Sequence, residues 1–216
     1  MPLLKKWNAE GGTVAIWKAD ESFDELLAML QDTAVYRTEL ERLKADSRRM
    51  EYVAVRVLLK TLLGRELHIA HEPSGKPYLV EGGYRISISH TKGYVAVALH
   101  KSLCPGVDIE YFAERVKKVA SRFVRKDELQ GVSRYEGTPY IYMLLLHWSA
   151  KETLYKVMAE EEVDFVEHLH ILPFSLEQEG SFEAQEYRTP ENEHFHVSYM
   201  LNPDFVCTWC FKSVNY

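Results

Sequence analysis

Apolar residues recur at Leu40, Leu43, Met50, Val53 and Val57, in steps of three, four and seven, and so lie on one stripe of a helix spanning residues 40–63. Gly64 is placed to stop that helix. Ahead of it, the β-branched and aromatic run at residues 13–17 follows a Gly-Gly pair and reads as a strand entered from a turn, with a helix over residues 20–31 after it. Residues 85–90 and 94–99 read as two strands joined by Thr91-Lys92-Gly93, a short loop with glycine where a hairpin needs one. Beyond Pro105 come a third strand over residues 106–109, a helix over 113–123, a glycine-containing loop over 131–139 and a long helix over 140–159. The tail predicts a hairpin, with residues 196–200 and 205–211 flanking Asn202-Pro203-Asp204.

Strand, helix and paired strands thus occur on both sides of residue 105, with neither a Pro- or Ser-rich linker nor a visible sequence repeat. The pattern predicts an α+β fold of two similar halves packed as a pseudo-dimer, residues 1–104 and 105–216, each a small antiparallel sheet packed with a long helix. Hydrophobic residues at 46% and charged residues at 27% of the 216 positions are globular values, away from disorder-prone compositions. A formal net charge of -6 argues against a surface that tracks nucleic-acid phosphates throughout, while leaving room for a local basic patch. Three cysteines give no disulfide framework, and the N-terminal stretch lacks the apolar core of a secretory signal. The longest strongly apolar run, residues 141–146, falls far short of the ~20 residues that cross a bilayer. The expected location is therefore cytoplasmic, with no membrane span.

Asp108 and Glu110 stand two apart in a strand-like segment, so their side chains leave on one face and can converge on a cation. On the long helix Trp148, Glu152 and Lys156 are spaced by four and share a face, with Lys151 one position off it. Read blandly, these are a solvated acidic pair and an amphipathic helix with a Glu-Lys pair. Read together, Glu152 completes an oxygen-rich site with Asp108 and Glu110, of the kind that suits Mg²⁺ beside substrate phosphates. A second feature is a basic edge of Arg42, Arg49 and Arg56, spaced by seven, with Arg48 and Lys60 nearby. It is either a solvated face whose stems cover apolar surface or a phosphate-binding row.

The segments Gly106-Val107-Asp108-Ile109-Glu110 and Trp148-Ser149-Ala150-Lys151-Glu152, the latter followed by Lys156, resemble the paired signature of 4'-phosphopantetheinyl transferases, (I/V)G(I/V)D-x-E and W-x-x-K-E-x-x-x-K. Gly75-Lys76-Pro77 is similar to the family's G-K-P, Ile88-Ser89-His90 to its S-x-S-H, and the stretch from Phe123 to Glu128 to its F-x-x-x-x-E. The resemblance covers residues 40–175, and the length is that of the larger, monomeric surfactin-synthetase-activating type. Pro105 precedes Gly106 where the family often has an apolar residue, a small departure.

The resemblance implies transfer of the 4'-phosphopantetheine arm of coenzyme A to a serine of an acyl carrier protein or of a synthetase's carrier domain, in fatty acid or secondary metabolism. Asp108, Glu110 and Glu152 would hold Mg²⁺, or Mn²⁺ in its place. Glu152 is the implied general base, Lys156 the group that stabilises the leaving phosphate and Lys151 an assisting cation. Arg49, Arg56, His71, Lys76, Ser89 and His90 are the candidate coenzyme A contacts, of which the resemblance favours His90 and Lys76 and then Arg49, with the carrier docked in a groove between the two halves. A non-catalytic relative that binds coenzyme A or a carrier is the rival reading, and it would be expected to lose Asp108, Glu152 or Lys156. A nucleotide hydrolase lacks support, since no phosphate-cradling G-x-x-x-x-G-K-[ST] loop is present. Cys207 and Cys210 have a C-x-x-C spacing, but in a strand an offset of three sends the sulfurs to opposite faces. The pairs His168/His170 and His194/His196 read as surface or hairpin histidines, and Glu160, Glu161, Glu162 and Asp164 as a solvated helix exit.

Overall fold

The computed structural model describes residues 3–31, 33–158 and 162–213, and the chain divides into two compact units, Met1–Ser102 and Leu103–Tyr216. Both mix antiparallel sheet with helix, an α+β arrangement. Among the described residues no helix is long and apolar enough to cross a membrane.

The N-terminal unit contains β1 (Leu3–Ala9), β2 (Gly12–Lys18), α1 (Phe23–Ala28), α2 (Thr33–Arg42), α3 (Asp46–Leu63), β3 (Ile69–His71), β4 (Pro77–Leu79), β5 (Arg85–Thr91) and β6 (Tyr94–His100). Four strands form an antiparallel sheet in the order β1-β2-β6-β5, and β3 and β4 pair separately. The apolar stripe of α3, including Val53, Ala54, Val57 and Leu58, buries itself against Ala15 and Trp17 of β2 and Val95 and Val97 of β6. Gly64 ends α3 in the left-handed region at φ 71°, its N–H returning to the Lys60 carbonyl at 2.8 Å.

Two helical expectations are corrected here. The helix read over residues 40–63 is broken, because Ala45 is extended (φ -91°, ψ 131°) and α3 starts afresh with Asp46, an acidic residue that suits the positive end of a helix dipole. Arg42 therefore closes α2, while Arg49 and Arg56 ride on α3, and no single arginine edge exists. The helix read over residues 20–31 shrinks to α1 because Ser22 and Glu25 form a capping box, each side chain bonding the other's backbone N–H (2.8 and 3.3 Å).

The C-terminal unit contains β7 (Cys104–Tyr111), a 3₁₀ segment (Glu114–Arg122) in place of the helix read at 113–123, α4 (Leu129–Val132), α5 (Gly137–Met158), β8 (Leu169–Ile171), β9 (Glu179–Glu186), β10 (His194–Leu201) and β11 (Phe205–Lys212). Its five strands run antiparallel in the order β7-β11-β10-β9-β8. Ala159, at the end of the long helix read from sequence, and Glu160 and Glu161 of the acidic run lie outside the described residues. Cys207 and Cys210 are both buried free thiols on β11, and burial pushes the Cys207 thiol up, away from thiolate chemistry.

Helix α5 packs closely on β7 at Gly106, and two features hold it there. A Cβ built on Gly106 would come within 2.6 Å of Val157 Cγ1 and 2.7 Å of the Thr153 carbonyl oxygen, so only glycine lets the helix backbone approach β7 there. On β11, the Thr208 hydroxyl meets Ser149 Oγ at 2.9 Å and Thr153 Oγ1 at 2.7 Å, a buried hydroxyl cluster that pins the helix to the central strands. Thr208 pairs with Asp108 in the β11–β7 register, so the clamp sits beside the acidic segment.

Gly106→Ala is predicted to lower unfolding stability by about 1–3 kcal/mol, because one of the two clashing atoms is helix backbone and cannot swing away. Urea titration checks this, and Val157→Ala in the same chain should restore only part of the loss.

Candidate active site

Strand alternation sends Gly106, Asp108 and Glu110 of β7 toward α5, where Trp148, Glu152 and Lys156 stand one turn apart on the facing side. The helix meets the strand with opposite polarity. Trp148 Nε1 donates to Glu110 Oε1 at 2.7 Å, and two turns later Lys156 Nζ donates to Asp108 Oδ1 and to the Val107 carbonyl, both at 2.9 Å. Glu152 lies between these two contacts along the helix. Asp108 is buried, Glu110 and Glu152 half-buried.

The electrostatics follow from three carboxylates served by one ammonium. Burial, then the Asp108 charge and to a lesser degree Glu152, raises the Glu110 pKa to about 7 against the opposing pull of Trp148 and Lys156. Burial and Asp108 likewise raise Glu152, with Lys156 opposing. Among the described residues no group of three or more His, Cys, Asp or Glu side chains is gathered in a form that could hold a metal ion. Asp108 is bonded to Lys156 and Glu110 to Trp148, and the carboxylates repel one another. The donor set nonetheless fits a hard divalent cation. Its donor atoms are all carboxylate oxygens, and three carboxylates ionised beside one lysine would leave two negative charges for a cation to neutralise.

Lys151 does not join this face. Its ammonium is buried with 0% exposure and donates to Glu128 Oε2 (2.9 Å) and to the carbonyls of Phe123 (2.6 Å) and Phe165 (3.0 Å), which uses all three of its protons. Glu128 in turn accepts from the Arg125 and Ile171 N–H groups at 2.7 Å each. The assisting role expected of Lys151 is therefore corrected: one position round the helix from Glu152 turns its side chain into the core, where it ties two loops together.

In the N-terminal unit a cleft of about 330 Å³ is lined by Arg48, Glu51, Tyr52, Arg56, His71 and His90, with Gly75 of the β3–β4 turn also contributing. Glu51 Oε2 accepts from Arg48 Nη1 at 3.1 Å and lies 3.4 Å from His90 Nδ1, while Arg48 Nη1 approaches His90 Nε2 at 3.0 Å. Arg56 is held flat over Tyr52, 3.2 Å from the ring centre, and donates to the Tyr52 carbonyl at 2.9 Å; burial draws its pKa below the ordinary arginine value. Arg48 is the residue that sequence reasoning undervalues. Arg49, the expected contact, points elsewhere, with its guanidinium 4.8 Å over the Phe23 ring and 4.0 Å from Asp46. Ser89 is buried on the side of β5 opposite Ile88 and His90, both of which line the cleft. Lys76 sits in the β3–β4 turn, where its carbonyl accepts from Glu72 N–H, and does not line the cleft.

Lys151→Met should cost about 3–5 kcal/mol of unfolding stability, since it strands a buried carboxylate and two carbonyls. Denaturant unfolding of the purified variant measures this, and a loss under about 1 kcal/mol would show that the pair does not anchor the loops.

Residues 105–210 match the sequence model of the 4'-phosphopantetheinyl transferase superfamily. A protein of Synechocystis sp., provisionally named a 4'-phosphopantetheinyl transferase, is 27% identical over 128 residues, covering 54% of this chain and 52% of the relative. The chain thus matches about half the length of that curated relative. The matched segment contains both β7 and α5, whose facing side chains make the charged site just described. Over residues 105–210, then, the chain is similar to the 4'-phosphopantetheinyl transferase superfamily.

Proposed function

We propose that this protein is a transferase of the surfactin-synthetase-activating type, moving 4'-phosphopantetheine from coenzyme A to a serine of an apo acyl- or peptidyl-carrier protein. The observation that carries the reading is the facing of Asp108 and Glu110 on β7 by Trp148, Glu152 and Lys156 on α5, inside the matched segment. Asp108, Glu110 and Glu152 are the residues that would hold Mg²⁺, or Mn²⁺ in its place, and the bound ion would neutralise pyrophosphate charge as the phosphoanhydride breaks.

Glu152 takes the proton of the carrier serine. The serine oxygen then bonds to the β-phosphorus of coenzyme A, the bridging P–O bond breaks, and adenosine 3',5'-bisphosphate leaves. Lys156, already within hydrogen-bond distance of Asp108, offers its remaining proton to the leaving phosphate. In the N-terminal unit, Arg48 and His90, held together by Glu51, are the proposed contacts for the 3'-phosphate, with Arg56 and His71 lining the same cleft. The rival reading is a binding-only relative, and the presence of Asp108, Glu152 and Lys156 favours the transferase.

The assay is mass spectrometry of an apo-carrier after incubation with the protein, coenzyme A and Mg²⁺. One phosphopantetheine should be added per carrier serine, and chelator should stop the reaction. Asp108→Ala and Glu152→Ala should each lower turnover by roughly 10²–10³-fold while circular dichroism stays native. A folded wild-type protein that binds coenzyme A without modifying any carrier would establish the binding-only reading. Arg48→Ala and His90→Ala should raise KM for coenzyme A and leave kcat near wild type. An unchanged KM in both would place the 3'-phosphate elsewhere.

A further inference from the structure

Trp148 occupies an unusual position for an indole. Its ring packs against Phe123 and Phe165, with centroids 5.3 and 5.6 Å away, and its N–H is given to a carboxylate. Both flanking residues are fixed from behind, because Lys151 donates to the carbonyl of Phe123 and to that of Phe165. The buried Lys151–Glu128 pair therefore sets two aromatic walls, the walls set the indole, and the indole sets one oxygen of Glu110.

An indole nitrogen is a donor only, so this contact has a single polarity: it holds Glu110 Oε1 and does not engage the second oxygen. A glutamate near a strand end otherwise samples several rotamers, and any ligand it binds must pay for ordering it. We propose that Trp148 is a positioning residue for the divalent-cation site, fixing Glu110 through its indole N–H while Lys151 secures the indole through Phe123 and Phe165. This rests on the reading that Asp108, Glu110 and Glu152 share one cation. Side chains that orient a metal ligand without touching the metal typically change affinity by 10–100-fold, so the effect is measurable.

The test is Mn²⁺ affinity by electron paramagnetic resonance, at saturating coenzyme A, for wild type, Trp148→Phe, Glu110→Gln and the double variant. Trp148→Phe keeps an aromatic ring against Phe123 and Phe165 and removes the N–H together with the five-membered ring. It should weaken Mn²⁺ binding on the order of tenfold, yet add nothing in the Glu110→Gln background, since its action passes through that carboxylate. Phe165→Leu, which loosens one wall, should weaken binding in the same direction and also lose its effect once Glu110 is glutamine; it serves if Trp148→Phe does not fold. Equal losses in both backgrounds would make Trp148 merely structural, and unchanged affinity in Trp148→Phe would remove the role altogether; either result overturns this inference alone. A wild-type protein that binds no Mn²⁺ overturns it together with the shared-cation reading.

Discussion

Backbone contact between one helix and one strand governs the C-terminal unit. With no side chain at Gly106, α5 settles against β7, and the Thr208 hydroxyl cluster keeps it there. At that separation a lysine on the helix can reach a strand aspartate and a tryptophan two turns earlier can reach a strand glutamate. Move the helix outward by the width of a methyl group and both contacts lengthen at once. The stability of the packing and the proximity of the carboxylates are thus consequences of the same missing Cβ.

Two lysines on α5, five residues apart, illustrate how rotation about a helix divides structure from chemistry. Lys151 is turned inward, loses all solvent and satisfies three acceptors, so its charge is consumed in holding loops. Lys156 is turned to the acidic face, where it pairs with Asp108 and keeps part of its exposure. Adjacent Glu152 belongs to the same face as Lys156, and burial beside Asp108 makes its proton affinity higher than that of a surface glutamate. A cluster of like charges that raises its own pKa values is an arrangement of the kind found where a cation or a proton is handled.

Much of this is legible from the residues because it is written in local periodicity. The D-x-E spacing places two carboxylates on one strand face, and the four-residue spacing of Trp148, Glu152 and Lys156 places them on one helix face. Strands β5, β6 and β11 announce themselves through β-branched and aromatic runs. Strands β1, β3, β4, β8 and β9 do not: three of them have three residues each, and β9 turns only Phe182, Ala184 and Glu186 inward along an otherwise polar run. The inward aim of Lys151 and the choice of Arg48 over Arg49 are equally hidden. Each depends on which neighbouring face is buried, a tertiary fact that a one-residue shift in helix angle of about 100° decides. The partnership of Trp148 with Glu110 joins residues 38 apart in sequence, and no short-range pattern encodes it.

The claim that three acidic side chains from β7 and α5 serve one ion is most directly tested by diffraction from crystals soaked in Mn²⁺ and coenzyme A, with data collected at the manganese absorption edge. The account predicts one anomalous peak with oxygens of Asp108, Glu110 and Glu152 as its protein ligands, and the Lys156–Asp108 contact loosened to admit it. A peak elsewhere on the chain, or none beside an intact Lys156–Asp108 pair, would contradict it.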